Sequence, residues 1–324
     1  MSNIILETIR KNRPNLATSS IKTYISIINS ISNALVLELT TPESLIKNYK
    51  QILKHLEPMK PNPRKTKIAA IVSVIDDKHN EHSKELVEAL DAYKSQMYKD
   101  ADFIAEKDKQ QKLTTNQELN FITWDEVMKI YDDLKEKATP IFKLKRMTDK
   151  QYFLLQSFIL LSLYVLIPPR RSLDYVDFKL REIDPEKDNY MLRRGKSKTA
   201  KAQFVFNSYK NSSRLGKQII DIPKDLANLL DKWGKINGSE YLLSTADFKP
   251  ITQQRVTTML NNIFGKKIST SLLRHIYLTN KFGSYDLEAL EDTAKEMGNS
   301  KVSRILSYVS KDNAKESDTV EDDG

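Results

Sequence analysis

The stretch YFLLQSFILLSLYVLIPPRRSLDYVDF, residues 152–178, decides the fold because it joins an apolar helix to a charged, irregular segment. Its apolar part, residues 152–167, contains Gln156 and Ser162. It is also shorter than the run of about 20 apolar residues that a membrane span needs. The stretch therefore predicts a helix buried in a protein core. The two prolines that follow predict the end of that helix, since proline cannot continue it.

The composition excludes several kinds of site. The chain of 324 residues has no cysteine, which rules out a thiol nucleophile, a disulfide framework and cysteine-ligated zinc. With four histidines, a histidine-rich metal site is not expected either. We predict neither a metal nor another cofactor.

Charge and termini indicate the setting in which the protein acts. A net charge of +9 and a pI near 9.2 favour a polyanionic partner, most often nucleic acid. The N-terminal residues, MSNIILETIRKNRPN, lack the order of basic, apolar and small residues that marks a secretion signal. We therefore predict an intracellular protein that is not secreted and has no membrane partner.

Pattern breaks along the chain predict two domains. Residues 1–112 read as a domain of helices, and the polar residues 113–120 as a linker. A second domain follows over residues 121–310, and the charged residues 311–324 are predicted to form a disordered tail.

Within these domains, helix signals outnumber strand signals. Ser19 or Ser20 is a plausible N-cap for one helix, and Thr41 followed by Pro42 opens another. Residues 189–207 have strand-like stretches on both sides of a basic turn, and the QIIDIP that follows is typical of a short strand. We predict a mainly α (α+β) fold: a helical first domain, then a mainly helical domain with a small antiparallel β-sheet.

Four motifs in the second domain resemble those of the tyrosine recombinases, the phage integrases and their viral and transposon relatives. They are PPRRSLDY at 168–175, KSKTAK at 196–201, SLLRH at 271–275 and MGNSKVSRILSY at 297–308. The family order is an arginine, a hairpin lysine, His-x-x-Arg, a histidine or tryptophan, and a tyrosine. The resemblance covers residues 121–310 and implies the family's catalytic fold, whereas residues 1–112 resemble its core-binding domain more loosely.

The first motif resembles the family's TGLRxSELxxLxWxDID. Aligning Asp174 with the glutamate of that motif places Arg171 on the catalytic arginine, and Arg170 is the alternative, one residue out of register. A guanidinium suits this role because its planar fork holds two phosphate oxygens at once.

The second motif resembles the integrase turn SKTxxKxxxxP. The match points to Lys198 as the general acid for the leaving 5′ oxygen. Lys196 and Lys201 on the same ribbon are its rivals.

The last two motifs resemble HxLRHxxAT and LLGHSxxxTTxxY. They place Arg274 on the second catalytic arginine and Tyr308 on the nucleophile. Ser271 stands where the family has histidine, and Asn299 stands where it has histidine or tryptophan. The usual proton carrier is therefore absent from both positions. His275 is a further candidate that faces either the phosphate or the core.

The resemblance implies a DNA strand transferase that needs no metal. Its partner would be double-stranded DNA, clamped between the two domains, with a tetramer assembled on paired sites. The PPRR…DY and LRHIYLT variants resemble most the integrases of large DNA viruses, virophages and related mobile elements. The compartment would then be that of the target DNA: host nucleus, cytoplasmic viral factory or virion. The predicted DNA contacts are Arg170, Arg193, Arg194, Lys196, Lys201, Arg64, Lys65 and Lys67.

Three other interpretations stay open at the level of sequence. A DNA-binding relative that has lost catalysis would explain Ser271 and Asn299. A type IB topoisomerase would share the fold and the tyrosine chemistry. A helical protein-interaction scaffold would leave the phosphate-binding residues unexplained.

Overall fold

A computed structural model of the chain describes residues 3–77, 83–109, 113–193, 195, 201–282, 293 and 297. The chain divides into two compact units, Met1–Gln110 and Gln111–Gly324, and each has its own apolar core. Most of the predicted linker, 113–120, forms a short helix at Thr115–Asn120. Its Asn120 side chain accepts a hydrogen bond from the backbone N–H of Lys267 at 2.8 Å, so these residues belong to the second unit. The predicted tail, 311–324, lies outside the described residues.

The first unit is helical throughout its described residues, as predicted. Its helices are α1 (Asn3–Asn12), α2 (Thr18–Leu35), α3 (Pro42–Lys47), α4 (Tyr49–Leu56), α5 (Pro61–Ile75) and α6 (Lys84–Lys109).

Two helix starts in this unit test the capping predictions. Thr41 caps α3, accepting from the backbone N–H of Ser44, with Pro42 at the first helical position, as predicted. The predicted cap of α2 at Ser19 or Ser20 is wrong, because the helix begins at Thr18. Both serines lie inside its first turn.

The second unit is also mainly helical. Its helices are α7 (Thr115–Asn120), α8 (Trp124–Ala138), α9 (Asp149–Val165), α10 (Leu173–Val176), α11 (Ser212–Leu215), α12 (Lys224–Ile236), α13 (Gln253–Phe264) and α14 (Thr270–Lys281), with a 3₁₀ turn at Thr139–Lys143. The apolar stretch that opens the motif region forms α9, which is buried along most of its second half, as predicted. Within the described ranges, no helix is both long and apolar enough to cross a bilayer.

A four-stranded sheet packs beside these helices. Its strands are β1 (Phe178–Lys179), β2 (Asn189–Arg193), β3 (Ala202–Phe206) and β4 (Gln218–Ile222), in spatial order β1-β2-β3-β4. The β2–β3 and β3–β4 pairs are antiparallel, but β1 runs parallel to β2. The sheet is therefore mixed, and the prediction of an antiparallel sheet is wrong for β1. After β1 the chain forms a turn at residues 184–188 and then enters β2, which runs in the same direction as β1.

Aromatic packing fixes the sheet against the segment that follows α9. Tyr175 in α10 lies 6.1–6.5 Å, between ring centroids, from Phe178, Phe204 and Phe206, and all four side chains are fully buried. Such edge-to-face contacts stabilise a core beyond the burial of apolar area alone. The arginine-containing loop between α9 and α10 is thereby held on a rigid base.

Candidate functional site

The loop after α9 presents two consecutive arginines in different environments. Arg171 is half-buried, and its carbonyl oxygen accepts from the backbone N–H of Asp174 at 3.0 Å in the turn that starts α10. The Ser172 hydroxyl donates to the side chain of Gln253 at 3.4 Å and so ties this loop to α13. The loop is therefore held from two sides.

Arg170, in contrast, is 0% exposed. Its Nε donates to Oδ2 of Asp174 at 2.7 Å, and its Nη2 donates to Gln218 at 3.1 Å. Its guanidinium carbon lies 3.9 Å from the ring centroid of Phe206 and 5.4 Å from that of Tyr209. With its fork engaged inside the protein, Arg170 offers no surface to DNA, so its predicted DNA contact is wrong. The same contacts argue against the alternative alignment of the first motif, in which Arg170 would be the catalytic arginine.

Asp174 is a buried carboxylate that pairs with Arg170 and is influenced by the charges of two further arginines. It is 1% exposed, and its backbone carbonyl accepts from the Asn189 side chain at 3.0 Å, which fixes α10 to the sheet. Burial raises the pKa of Asp174, while the charge and hydrogen bond of Arg170, then the charges of Arg171 and Arg274, act to lower it. Arg171 and Arg274, far apart in sequence, therefore lie close enough to act on the same carboxylate.

Two buried tyrosines beside this cluster are poor candidates for a nucleophile. Tyr164 and Tyr175 pack edge to face at 5.8 Å, and both are 0% exposed. Burial raises the pKa of Tyr164 well above its usual range; Tyr175 and Asp174 add to this, whereas Arg274 lowers it. Burial also raises the pKa of Tyr175. A reactive tyrosine for this site has to come from another segment of the chain.

Helix α14 supplies three of the predicted site residues. The Ser269 hydroxyl caps the helix by accepting from the N–H of Leu272 at 3.3 Å. Ser271 is exposed in the first turn, Arg274 is 2% exposed one turn later, and His275 is half-buried. The helix thus carries Arg274 inward to the Asp174 cluster.

His275 has a partner that sequence reasoning missed. Nε2 of Gln117 in α7 lies 3.4 Å from Nε2 of the imidazole. The amide oxygen of Gln117 already accepts from the N–H and the hydroxyl of Thr114, both at 2.8 Å. Because these bonds fix which end of the amide faces His275, Gln117 donates and Nε2 of His275 accepts. This contact favours the tautomer of His275 that carries its proton on Nδ1.

We expect nuclear magnetic resonance of ¹⁵N-histidine-labelled protein to show His275 as the Nδ1–H tautomer. The Gln117→Leu variant removes the donor and should release that preference, whereas Asn116→Ala, on the exposed side of α7, should leave it intact. The His275→Gln variant assigns the signal. An Nε2–H tautomer in the unmodified protein would contradict the assignment.

The basic hairpin is described only at its base. Arg193, at the end of β2, donates to Asp231 at 2.6 Å and to Asn228 at 3.2 Å, so α12 already engages the side chain predicted to contact DNA. Lys201 is exposed directly before β3. Gly195 has a φ of 117°, a left-handed conformation suited to glycine in a tight turn. Arg194, Lys196 and Lys198 lie outside the described residues.

The basic residues at the start of α5 also differ from one another in their surroundings. Nε of Arg64 donates to both carboxylate oxygens of Asp100, at 3.1 and 2.9 Å, and its Nη1 donates to the carbonyl of Met59 at 3.2 Å. These contacts give Arg64 a role in the packing of α5 on α6, and its predicted DNA contact stays a prediction. Lys65 and Lys67 are half-buried on the same helix, and their predicted DNA contacts stay predictions.

The segment that carries the predicted nucleophile is described at two positions. Met297 is 0% exposed, and its N–H donates to the carbonyl of Thr293 at 3.0 Å. The Thr293 hydroxyl accepts from Nζ of Lys281, at the end of α14, at 2.9 Å. Asn299 and Tyr308 lie outside the described residues, and their roles stay predictions. Among the described residues, no three histidine or acidic side chains cluster as a metal site would require.

Comparison with known proteins gives matches among solved structures alone. No protein-family model and no curated protein matches the chain. XerA recombinase is 12% identical with a TM-score of 0.41, covering 97% of this chain and 95% of that one. A lambda integrase (75–356) dimer bound to a COC′ core site is 14% identical with a TM-score of 0.46, covering 96% and 93%.

A third structure, XerH site-specific recombinase bound to its difH substrate, is 12% identical with a TM-score of 0.44, covering 98% of this chain and 94% of that one. Similarity at this level says nothing about activity. What this chain does has to be argued from its own side chains.

Proposed function

We propose that this chain is a site-specific DNA recombinase of the tyrosine type, which cleaves and rejoins strands through a 3′-phosphotyrosyl intermediate. The observation that supports this most is that the charges of Arg171 and of the nearly fully buried Arg274 both act on the buried Asp174. Because Arg170 is engaged inside the protein, these two guanidinium groups are the ones that can hold a phosphodiester through their planar forks.

In the proposed reaction, the hydroxyl oxygen of Tyr308 attacks the scissile phosphorus in line, and the bond from phosphorus to the 5′ oxygen breaks. Arg171 and Arg274 hold the nonbridging oxygens and stabilise the charge of the pentacoordinate state. Lys198 gives a proton to the leaving 5′ oxygen. The covalent intermediate keeps the phosphodiester energy, so a 5′ hydroxyl from a second duplex can reverse the step.

The remaining site residues complete the hydrogen-bonded shell. Ser271, exposed in the first turn of α14, and Asn299 donate to phosphate oxygens. Because Gln117 occupies Nε2 of His275, the imidazole acts as a hydrogen-bond donor through Nδ1–H and does not accept a proton. Lys201, Lys65 and Lys67 neutralise DNA phosphates.

Recombination between two duplexes requires cleavage of four strands, so we propose a tetramer assembled on paired sites inside the cell. The biological task would be integration or excision of a mobile or viral genome, a narrower proposal that rests on the PPRR…DY and LRHIYLT variants of the motifs.

The test uses the chain expressed in cells with a plasmid library of random target DNA, followed by sequencing of new junctions. Recombinant junctions at one preferred sequence are expected, and a duplex nicked beside that sequence should then trap a covalent protein–DNA complex. Relaxation of supercoiled plasmid without sequence preference would favour a type IB topoisomerase instead. DNA binding with neither junctions nor trapping would identify a catalytically decayed relative.

A further inference from the structure

The fully buried ion pair between Arg170 and Asp174 has no part in the proposed reaction. Burying such a pair removes both ions from water, and a well-packed apolar pair would serve stability as well. Its position beside Arg171 and Arg274 suggests a purpose other than stability.

The contacts of Asp174 show what its charge would do without Arg170. Oδ2 accepts from Arg170 at 2.7 Å, whereas Oδ1 is buried with no hydrogen-bond partner in the described part of the chain. The charges of Arg171, three residues earlier, and of Arg274 on α14 also act on this carboxylate. A buried carboxylate without a counterion is costly, so it would draw one of these two guanidinium groups toward itself.

The contacts of Arg170 suit it for holding this carboxylate permanently. Its guanidinium lies against the ring of Phe206 and donates to Gln218, so ring, amide and carboxylate together fix its orientation. Lysine could not reproduce this arrangement because it lacks the planar fork.

We propose that Arg170 is a positioning residue that neutralises Asp174 and thereby keeps the guanidinium groups of Arg171 and Arg274 directed at the substrate phosphate. The proposal rests on the proposed function for its substrate. It assigns Arg170 no contact with DNA.

A single variant of Arg170 and a double variant of Arg170 and Asp174 test this assignment. Arg170→Met keeps the stem against Phe206 but leaves Asp174 without its partner, and it should slow single-turnover cleavage about tenfold or more with little change in DNA affinity. The double variant Arg170→Met, Asp174→Asn removes the carboxylate charge as well and should recover most of the rate. Tyr209→Phe perturbs the same aromatic surroundings without altering any charge, and it should cleave at the unmodified rate.

A purely structural ion pair gives the opposite pattern. The double variant would then cleave as slowly as, or more slowly than, Arg170→Met, and that result would overturn the proposal. Thermal unfolding of each variant separates loss of fold from loss of rate.

A second measurement does not depend on cleavage. Inorganic phosphate should raise the unfolding midpoint of the unmodified protein and of the double variant more than that of Arg170→Met. The Arg274→Ala variant measures the background shift, which does not come from phosphate at the proposed site. If this order holds but no DNA is cleaved, the proposed function fails and the role of Arg170 stands. Equal phosphate effects in all variants would overturn the role of Arg170 even in an active recombinase.

Discussion

Replacement of Tyr308 by phenylalanine should abolish the covalent complex on nicked DNA while leaving DNA binding unchanged. The ring remains but the attacking oxygen is gone, and losses on removal of a nucleophile reach about 10⁶-fold in well-studied enzymes. The described tyrosines beside Arg170 and Asp174 are poor substitutes because all of them are buried; they are Tyr164, Tyr175 and Tyr209. Denaturing electrophoresis of the trapped complex measures the effect.

Tyr98→Phe is the matched control, since that tyrosine is 60% exposed on α6 of the first unit and lies on no site residue's helix. It should trap as much DNA as the unmodified chain. Trapping by Tyr308→Phe at the same level would exclude Tyr308 as the nucleophile, and peptide mapping of the DNA-linked fragment would then identify the true one.

Replacement of Arg274 should have the next largest effect. Arg274→Ala removes a nearly fully buried positive group from the proposed phosphate site, and cleavage should fall about 10²- to 10³-fold. Arg274→Lys keeps the charge but loses the two-pronged contact, so it should recover only part of that rate. Single-turnover cleavage of the nicked duplex measures both.

Because Arg274 is 2% exposed, its removal also threatens the fold. The thermal midpoint of Arg274→Lys, which should stay near that of the unmodified protein, separates the two effects. Arg146→Ala, an exposed arginine in the loop before α9, is the control for general loss of positive charge. Unaltered cleavage by a folded Arg274→Lys and Arg274→Ala would remove Arg274 from the mechanism.

Local chemistry made much of the fold predictable. Thr41 with Pro42 marks the start of α3 because a side-chain oxygen and a fixed φ act within one turn. The run at 152–167 gives a buried helix because apolar residues occupy all its faces, while the buried Gln156 and Ser162 are hydrogen-bonded to backbone carbonyl groups. The start of α2 is harder to predict because its N-cap position is Ala17, which has no side-chain oxygen to mark the helix start.

Strand direction was not predictable in the same way. In β4 partly buried and exposed residues alternate along most of the strand, but β1 has only two residues and no period that could predict its pairing. Its parallel pairing with β2 depends on the turn at 184–188 and on burial of Phe178 among the aromatic rings, both of which are tertiary effects.

The sequence by itself determined the helical character of the chain, its basic charge and the order of its motifs, because these depend on residue type and spacing alone. Tertiary structure alone decided which arginine of the Arg170–Arg171 pair is enclosed, since enclosure depends on Phe206, Tyr209 and Gln218 from the sheet and its neighbouring loop. The i,i+4 spacing of Arg170 and Asp174 was the one sequence signal for their pairing. The contact of Gln117 with His275 had none, because two short helices far apart in sequence create it.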